Sequence, residues 1–312
     1  MKVLVTGGSG FIGFHLVRRL LGEDCEVCCV VRDPWKAHMF EDVVYCVGDL
    51  ADPVFVNRVV FEHMPDVVLH LAAKAIVTTA EYDVVDTYRS NLIGTVNLLE
   101  ACSKLKSKPL FYLQSTDKLF PWDNAKEDDS PQPIGHYALS KYMQELMAKQ
   151  YVDKLNILIC RSCNVIGEGD THKRILPNTI RSCLANQPPI IYKETPPSHR
   201  QYIYVSDLID AILLLIKKGE TGVYHVGTPW IKTNEEVVTE VLKHFPHLKP
   251  QYVERQHTGV EIIQQSLNYQ KITVLGWKPK TTFEEAIAKT VEWWKEKWTQ
   301  RHLQSGLTSP TS

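Results

Sequence analysis

The chain has 312 residues, 44% hydrophobic and 23% charged, and its 16 Gly and 17 Pro are too few for a collagen-like, low-complexity or wholly disordered protein. Its 35 Lys and Arg nearly cancel its 36 Asp and Glu, so no field directs it to nucleic acid or to an anionic membrane, and neither partner is expected. The length suggests two domains' worth of chain and a large core. The one dense basic stretch, Lys104, Lys106 and Lys108, reads as a solvated helix end. No apolar run approaches the ~20 residues that span a bilayer. The N-terminal MKVLVTGG lacks the apolar region and small-residue cleavage site of a signal peptide, which points to the cytoplasm.

Apolar runs and amphipathic stretches alternate along the first half. Strands are predicted at 2–6, 26–31, 43–47, 66–71, 110–114 and 156–160, and helices at 11–21, 91–105 and 137–151. Continuous apolar strands separated by helices indicate an α/β fold, a Rossmann-type doubly wound parallel sheet covered on both faces. Beyond Asn164 the rhythm changes. Gly167, Gly169, Pro177, Pro188, Pro189, Pro196 and Pro197 suggest loops around one short helix. A strand at 202–205 and a helix at 207–217 are expected to rejoin the sheet, followed by a strand at 223–226 and helices at 235–244 and 283–298. The spacing of Trp293, Trp294 and Trp298 suits a packed helix face better than a ligand box. The division that follows is a dinucleotide-binding part, 1–165 plus about 201–227, and a smaller C-terminal substrate lobe, about 166–200 plus 228–300, with a flexible tail at 305–312.

Two CxxC pairs, Cys25/Cys28 and Cys160/Cys163, have the spacing of a zinc site. Both lie in strand-like runs, where side chains three apart leave opposite faces, so neither pair can pinch one ion. In His244-Phe-Pro-His247 the proline breaks a helix and with it the shared face. No metal is expected.

The sharpest signal is Thr6-Gly-Gly-Ser-Gly-Phe-Ile-Gly13, set between the first strand and the first helix. Gly7 permits the tight turn, Gly10 lets the backbone approach a pyrophosphate, and Gly13 lets the helix pack close to the sheet. The free N–H groups of the helix N-terminus then face the phosphates. At the end of the second strand, Val31 stands where an NAD-binding chain carries an acid. Arg32 follows, which leans towards the 2′-phosphate of NADP, with Asp33 leaving NAD open.

Tyr137 and Lys141 are one helical turn apart and share a face, so the ammonium and a nicotinamide's charge would lower the phenol's pKa. The phenolate could then take a proton from a substrate hydroxyl as hydride leaves the same carbon. Ser115-Thr116-Asp117-Lys118 falls at the C-terminal end of the fifth strand, where ligands sit in doubly wound sheets.

Together TGGSGFIG, Gly48-Asp49-Leu50, His70-Leu-Ala-Ala73, Asn91-Leu-Ile-Gly-Thr95, STDK and Tyr137/Lys141 resemble the extended short-chain dehydrogenase/reductases over residues 1–298. The resemblance implies a bound NAD(P), a nucleotide-diphosphate sugar held by the C-terminal lobe, and a homodimer formed through helices 91–105 and 137–151. It implies cofactor contacts at Gly7, Gly10, Phe11, Ile12, Gly13, Arg32, Asp49, Leu50, Leu71, Ala72, Ala73, Asn91, Tyr137 and Lys141, with Asp49 facing the adenine.

Asp117-Lys118 after Thr116, with Arg161-Ser-Cys-Asn-Val-Ile-Gly-Glu-Gly-Asp170 and Arg174-Ile-Leu-Pro177, is similar to the nucleotide-sugar 4,6-dehydratases, the CDP-glucose branch in particular. That similarity implies substrate contacts at Ser115, Asn164, Leu176, Tyr192 and Arg200, with Asn164 and Arg200 on the diphosphate. Tyr137, Thr116 and Lys141 would serve C4 oxidation, Lys118 would take the C5 proton, and Asp117 would protonate the departing C6 hydroxyl. Leu119-Phe120-Pro121 and His136 depart from the family pattern. A sugar epimerase, an NADPH-dependent 4-ketoreductase and a non-enzymatic NADP-sensing regulator are the alternatives.

Overall fold

In the computed structural model, which describes residues 1–193, 196–254 and 263–304, a seven-stranded parallel sheet organises the chain. Its strands are β1 (Lys2–Thr6), β2 (Glu26–Val31), β3 (Val43–Val47), β4 (Val67–His70), β5 (Leu110–Thr116), β6 (Asn156–Ser162) and β10 (Gly222–Val226), in the order β10-β6-β5-β4-β1-β2-β3. The order reverses direction between β1 and β4, which opens the crevice where doubly wound sheets bind ligands. The central strands are buried on both faces, so their sequences are unbroken apolar runs such as Val3-Leu4-Val5 and Phe111-Tyr112-Leu113.

One core layer forms where α1 (Phe11–Leu21) and α8 (Val205–Lys217) cover one face, through Leu16, Val17, Leu20, Leu208 and Ile212. The other face is covered by α2 (Pro53–His63), α5 (Gly94–Ser103) and α6 (Gly135–Lys149), with Val56, Val60, Leu98, Leu99 and Ala148 inside. Helix α2 starts at Asp52, whose carboxylate accepts from the Val54 and Phe55 N–H groups, with Pro53 as its first residue. The valine-rich run of this stretch carries no clean helical period, so the sequence alone predicts no helix here.

Three differences from the expected elements bear on the site. The helix expected at 91–105 is a π-turn at Arg89–Ile93 followed by α5, and two short helices, α3 (Val77–Tyr82) and α4 (Val84–Tyr88), precede it. Strands β5 and β6 each run two residues past their expected ends, so Ser115 and Thr116 are strand residues.

The third difference concerns the strand expected to rejoin the main sheet. It is β9 (His199–Tyr204), and it pairs instead with β7 (Asn164–Ile166), β11 (Ile231–Thr233) and β13 (Gln264–Gln265) in a second, small sheet. Its edges are satisfied by these short strands, and α8 carries the chain back to the main sheet instead. The segment 166–200 also holds α7 (Ile175–Leu184) and β8 (Ile190–Lys193), which pairs with β12 (Gln251–Glu254). Helix α9 (Asn234–Leu242) carries a capping box between Thr233 and Glu236, α10 spans Gln270–Val274, and α11 spans Phe283–Gln304. On α11 Trp294 is buried, while Trp293 packs half-buried against the same core. The tail at 305–312 lies outside the described residues.

Candidate active site

A cavity of about 430 Å³ opens over the C-terminal ends of β1, β5 and β6, within the usual size range of small-molecule sites. One end is the glycine turn. Gly7 has φ +75°, and a Cβ there would meet the Ala72 nitrogen at 2.7 Å. A Cβ on Gly13 would lie 2.1 Å from the Gly7 carbonyl oxygen, so only glycine lets α1 close onto the turn. Gly10 differs, because its Cβ would face the cavity with only the Gly7 oxygen, at 3.2 Å, within reach. The first hydrogen bond of α1 runs from the Phe14 N–H to the Gly10 carbonyl, which leaves the preceding first-turn N–H groups aimed along the helix axis. Gly10, Phe11, Ile12, Gly13, Leu71 and Ala73 line this end. A slot bounded by glycine backbone, first-turn N–H groups and small apolar side chains fits a dinucleotide pyrophosphate.

The turn is held by a buried relay. The Thr6 hydroxyl donates to His70 Nδ1 at 2.7 Å and accepts from the Ala72 N–H at 3.3 Å. His70 Nε2 donates to the Thr95 hydroxyl at 2.8 Å, which in turn donates to the Asn91 carbonyl at 2.5 Å. This chain fixes the ring as the neutral Nε2–H tautomer. Burial, with Lys141 nearby, pushes its pKa down to about 3, so it remains uncharged.

At the other end Thr116, Asp117, Lys118, Tyr137 and Lys141 all line the cavity. The strand stops at Thr116 and the chain turns through one 3₁₀ turn, Asp117–Leu119, with the Thr116 hydroxyl accepting from the Lys118 N–H at 3.2 Å. Two neighbours in an extended strand would point apart; this turn brings both side chains to the same space. Lys118 Nζ lies 3.3 Å from Asp117 Oδ2 and 2.5 Å from Gln265 Oε1. Gln265 in turn donates to the Asp117 and Phe120 carbonyls, at 3.0 and 2.8 Å. Burial lowers the Lys118 pKa against the opposing pull of Asp117, and the Arg200 and Arg174 charges lower it further.

Burial also lowers Lys141, to about 8, while Glu145 opposes it. The phenol of Tyr137 is shifted upward. Burial raises it, and the Thr116 hydroxyl and the Arg174 charge only partly offset that rise.

Beneath the strand ends that line the cavity, Arg161 and Glu145 form a fully buried bidentate pair, Nε–Oε1 3.0 Å and Nη2–Oε2 2.7 Å. Arg161 Nη1 also donates to His225 Nε2 at 3.1 Å, and His225 Nδ1 donates to the Ala125 carbonyl at 3.1 Å. Ser115 donates its hydroxyl to Glu145 Oε1 at 2.5 Å, so its side chain is tied to this pair although the residue lines the cavity. The pair joins β5, β6, α6 and β10. With every polar atom engaged, its value is specificity of position, since replacing such a pair by apolar groups is often neutral.

Of the other residues singled out in the sequence, Asn164, Leu176 and Arg200 line the cavity. Asn164 Nδ2 donates to the Gln201 carbonyl at 2.9 Å. Arg32, Asp49, Leu50, Ala72, Asn91 and Tyr192 are outside the lining. Asp49 pairs with Arg89 at 2.9 Å, Leu50 is core, and Asn91 is buried, donating to the Ser140 hydroxyl and accepting from the Lys74 N–H. Arg32 is exposed, and the neighbouring Asp33 carboxylate is committed to the Trp35 N–H at 3.0 Å. Tyr192 is exposed on β8. Sequence reasoning missed Gln265, which reaches the site from 147 residues away, and gave Arg174 and Glu145 no part in it.

Residues 3–227 match the NAD dependent epimerase/dehydratase family. A dTDP-D-glucose 4,6-dehydratase from Bos taurus is 28% identical over 95% of this chain and 89% of its own length. Among solved structures, a Thermus thermophilus UDP-glucose 4-epimerase in complex with NAD is 30% identical with a TM-score of 0.85, covering 95% of this chain and 99% of that one. A dTDP-glucose 4,6-dehydratase from Streptomyces venezuelae, solved with NAD, is 25% identical with the same TM-score, covering 96% and 98%.

Proposed function

The chain belongs to the NAD-dependent epimerase/dehydratase family, and we propose that within it the protein is a nucleotide-sugar 4,6-dehydratase, converting an NDP-hexose to its 4-keto-6-deoxy form. One observation carries the reading: Asp117 and Lys118 both enter the cavity beside Thr116 and Tyr137, an acid and an amine next to the oxidation residues. A 4-epimerase or a ketoreductase needs Tyr137 and Thr116 but no such pair.

A dinucleotide whose pyrophosphate is held by Gly10, Phe11, Ile12 and Gly13 would supply the hydride acceptor and donor for the reaction. Tyr137, assisted by Thr116, takes the proton of the sugar C4 hydroxyl as C4 is oxidised to a ketone. That ketone acidifies the C5 hydrogen, which Lys118 removes; its burial and the nearby Arg200 and Arg174 charges favour the neutral amine that a base requires. Asp117 protonates the C6 hydroxyl, which leaves as water. Gln265 holds Lys118 at its amide oxygen while its NH₂ group anchors the backbone that carries Asp117. Asn164 and Arg200 line the cavity where a diphosphate would lie.

Two further features belong to this reading. Exposed Arg32, with Asp33 turned into its own loop, supports a preference for NADP. Tyr82, Val85, Ile93, Leu139 and Leu146 are exposed apolar residues in the region of α3 to α6, which supports a homodimer through these helices. The reaction is tested by denaturing the purified protein to identify any released nicotinamide, then offering CDP-, UDP-, GDP- and dTDP-hexoses. A 4-keto-6-deoxy product from one of them is expected. A C4 epimer, or net consumption of reduced cofactor, identifies the epimerase or the ketoreductase instead.

A further inference from the structure

At the edge of the main sheet opposite the cavity, three side chains from three elements converge. Cys28 on β2 and Cys46 on β3 face the same side, because the parallel register sets Cys28 beside Val44 and Cys46 beside Val30. Helix α2 covers that face and ends with His63 above the two thiols. The sulfurs are 3.6 Å apart, and Cys46 Sγ is 3.4 Å from His63 Nε2. All three donor atoms lie within 4.8 Å of one another. A tetrahedral zinc with Zn–S of about 2.3 Å and Zn–N of about 2.0 Å spans S···S and S···N edges of about 3.8 and about 3.5 Å. The Cys28–Cys46 and Cys46–His63 separations match these edges to about 0.2 Å, and Cys28 lies within 4.8 Å of His63.

The surroundings also suit an ion. Cys28 is buried, whereas Cys46 and His63 are only partly so, and Cys28 and His63 line a cleft shared with Asp42 and Glu62. The cleft gives an entry path and room for a fourth, solvent-derived ligand. Two thiolates and an imidazole suit zinc better than they suit magnesium or calcium. Neither CxxC pair predicts this trio, since only Cys28 takes part.

We propose that Cys28, Cys46 and His63 form a zinc site that ties β2, β3 and the end of α2 together. Binding converts two thiols to thiolates and releases their protons to solvent, with no change of oxidation state. None of the three residues lines the cavity, so the site acts on stability and leaves turnover alone.

The test is a cobalt titration of the reduced, chelator-treated full chain, followed by displacement with zinc. One equivalent of cobalt should give thiolate-to-cobalt charge-transfer absorption and tetrahedral visible bands, both erased by zinc. Cys46→Ser and, as a second variant that leaves both thiols in place, His63→Gln should each lose or strongly weaken these bands. Cys25→Ser should keep them. Zinc should raise the Tm of the native chain and of Cys25→Ser but not of Cys46→Ser, with the turnover of all three unchanged. Absence of charge-transfer absorption in the native chain overturns the proposal, as do full-strength bands that survive both Cys46→Ser and His63→Gln.

Discussion

Arg32 and Asp33 are neighbours with different commitments. Asp33 accepts from the Trp35 N–H, whereas Arg32 is exposed at the end of β2. Arg32→Ala should therefore weaken NADP binding by roughly tenfold or more, the scale of one charge-assisted hydrogen bond, and change NAD binding little. Equal losses for both cofactors, measured by fluorescence titration, would mean that Arg32 does not read the 2′-phosphate. Lys141 makes a claim on pH. Its pKa in the fold is about 8, below its ordinary 10.5, so between those values the unfolded chain holds more protons than the folded one. Stability contributed through Lys141 must then rise as the pH climbs from about 8 to 10.5, and the cost of burying its charge is fully present below about 8. Urea midpoints of the native chain and Lys141→Met, compared across that range, should converge as the pH rises. A difference that stays constant would contradict the burial argument. Residues that act through local spacing were legible at this scale. Tyr137 and Lys141 share a helix turn, and Asp117 and Lys118 follow a strand end. Gln265 was not, because nothing local marks a glutamine that meets Lys118 from the far end of the chain. Depth of burial, which raises the Tyr137 phenol, is likewise not readable from a sequence.

Among the elements, the glycine turn and α1 were the most legible, since each glycine has its own steric reason. The three positions make separable demands. Gly10 has extended φ and ψ, −83° and 174°, and a side chain there points to the cavity. Gly13 is pressed against the Gly7 carbonyl. Gly10→Val should fold with a near-native urea midpoint yet lose dinucleotide binding, whereas Gly13→Val should lower the midpoint sharply or fail to fold. Retained cofactor binding in Gly10→Val would remove the cradle from this turn. Strand positions were legible as apolar runs, but strand partners were not. The stretch Tyr202–Tyr204 that ends β9 is apolar like the main-sheet strands, and only the short strands β7, β11 and β13, too brief to stand out, decide that it belongs elsewhere. Helix α2 shows the complementary gap. Its valines suit either a strand or a helix, and the cap at Asp52 followed by Pro53 was the available signal.

For the whole molecule, the buried Arg161–Glu145–His225 group joins the helix carrying Tyr137 and Lys141 to the strand ends beneath them, so the proposed catalytic residues share one rigid support. The exposed apolar residues on α3 to α6 suggest that this same layer of helices meets a second copy. Sedimentation of the native chain should give a dimer, and Val85→Glu with Leu146→Glu should shift it to a folded monomer by placing charges in the apolar contact. A native monomer at micromolar concentration would remove the dimer from the account. The alternation of strands and helices made the main sheet legible as a whole. The zinc trio was invisible for the opposite reason, since its ligands come from three elements and only the register of β2 on β3 brings them together.

The central claim is that elimination follows oxidation at one site, and stalling the reaction between the two steps tests it most directly. Tyr137→Phe should stop every step. Asp117→Asn and Lys118→Met should spare the oxidation, so that adding the NDP-hexose substrate builds up reduced-nicotinamide absorbance while 6-deoxy product forms roughly 10²- to 10⁴-fold more slowly. Near-native turnover in both Asp117→Asn and Lys118→Met would contradict the account and leave Tyr137, Thr116 and Lys141 as the whole catalytic set of an epimerase or reductase.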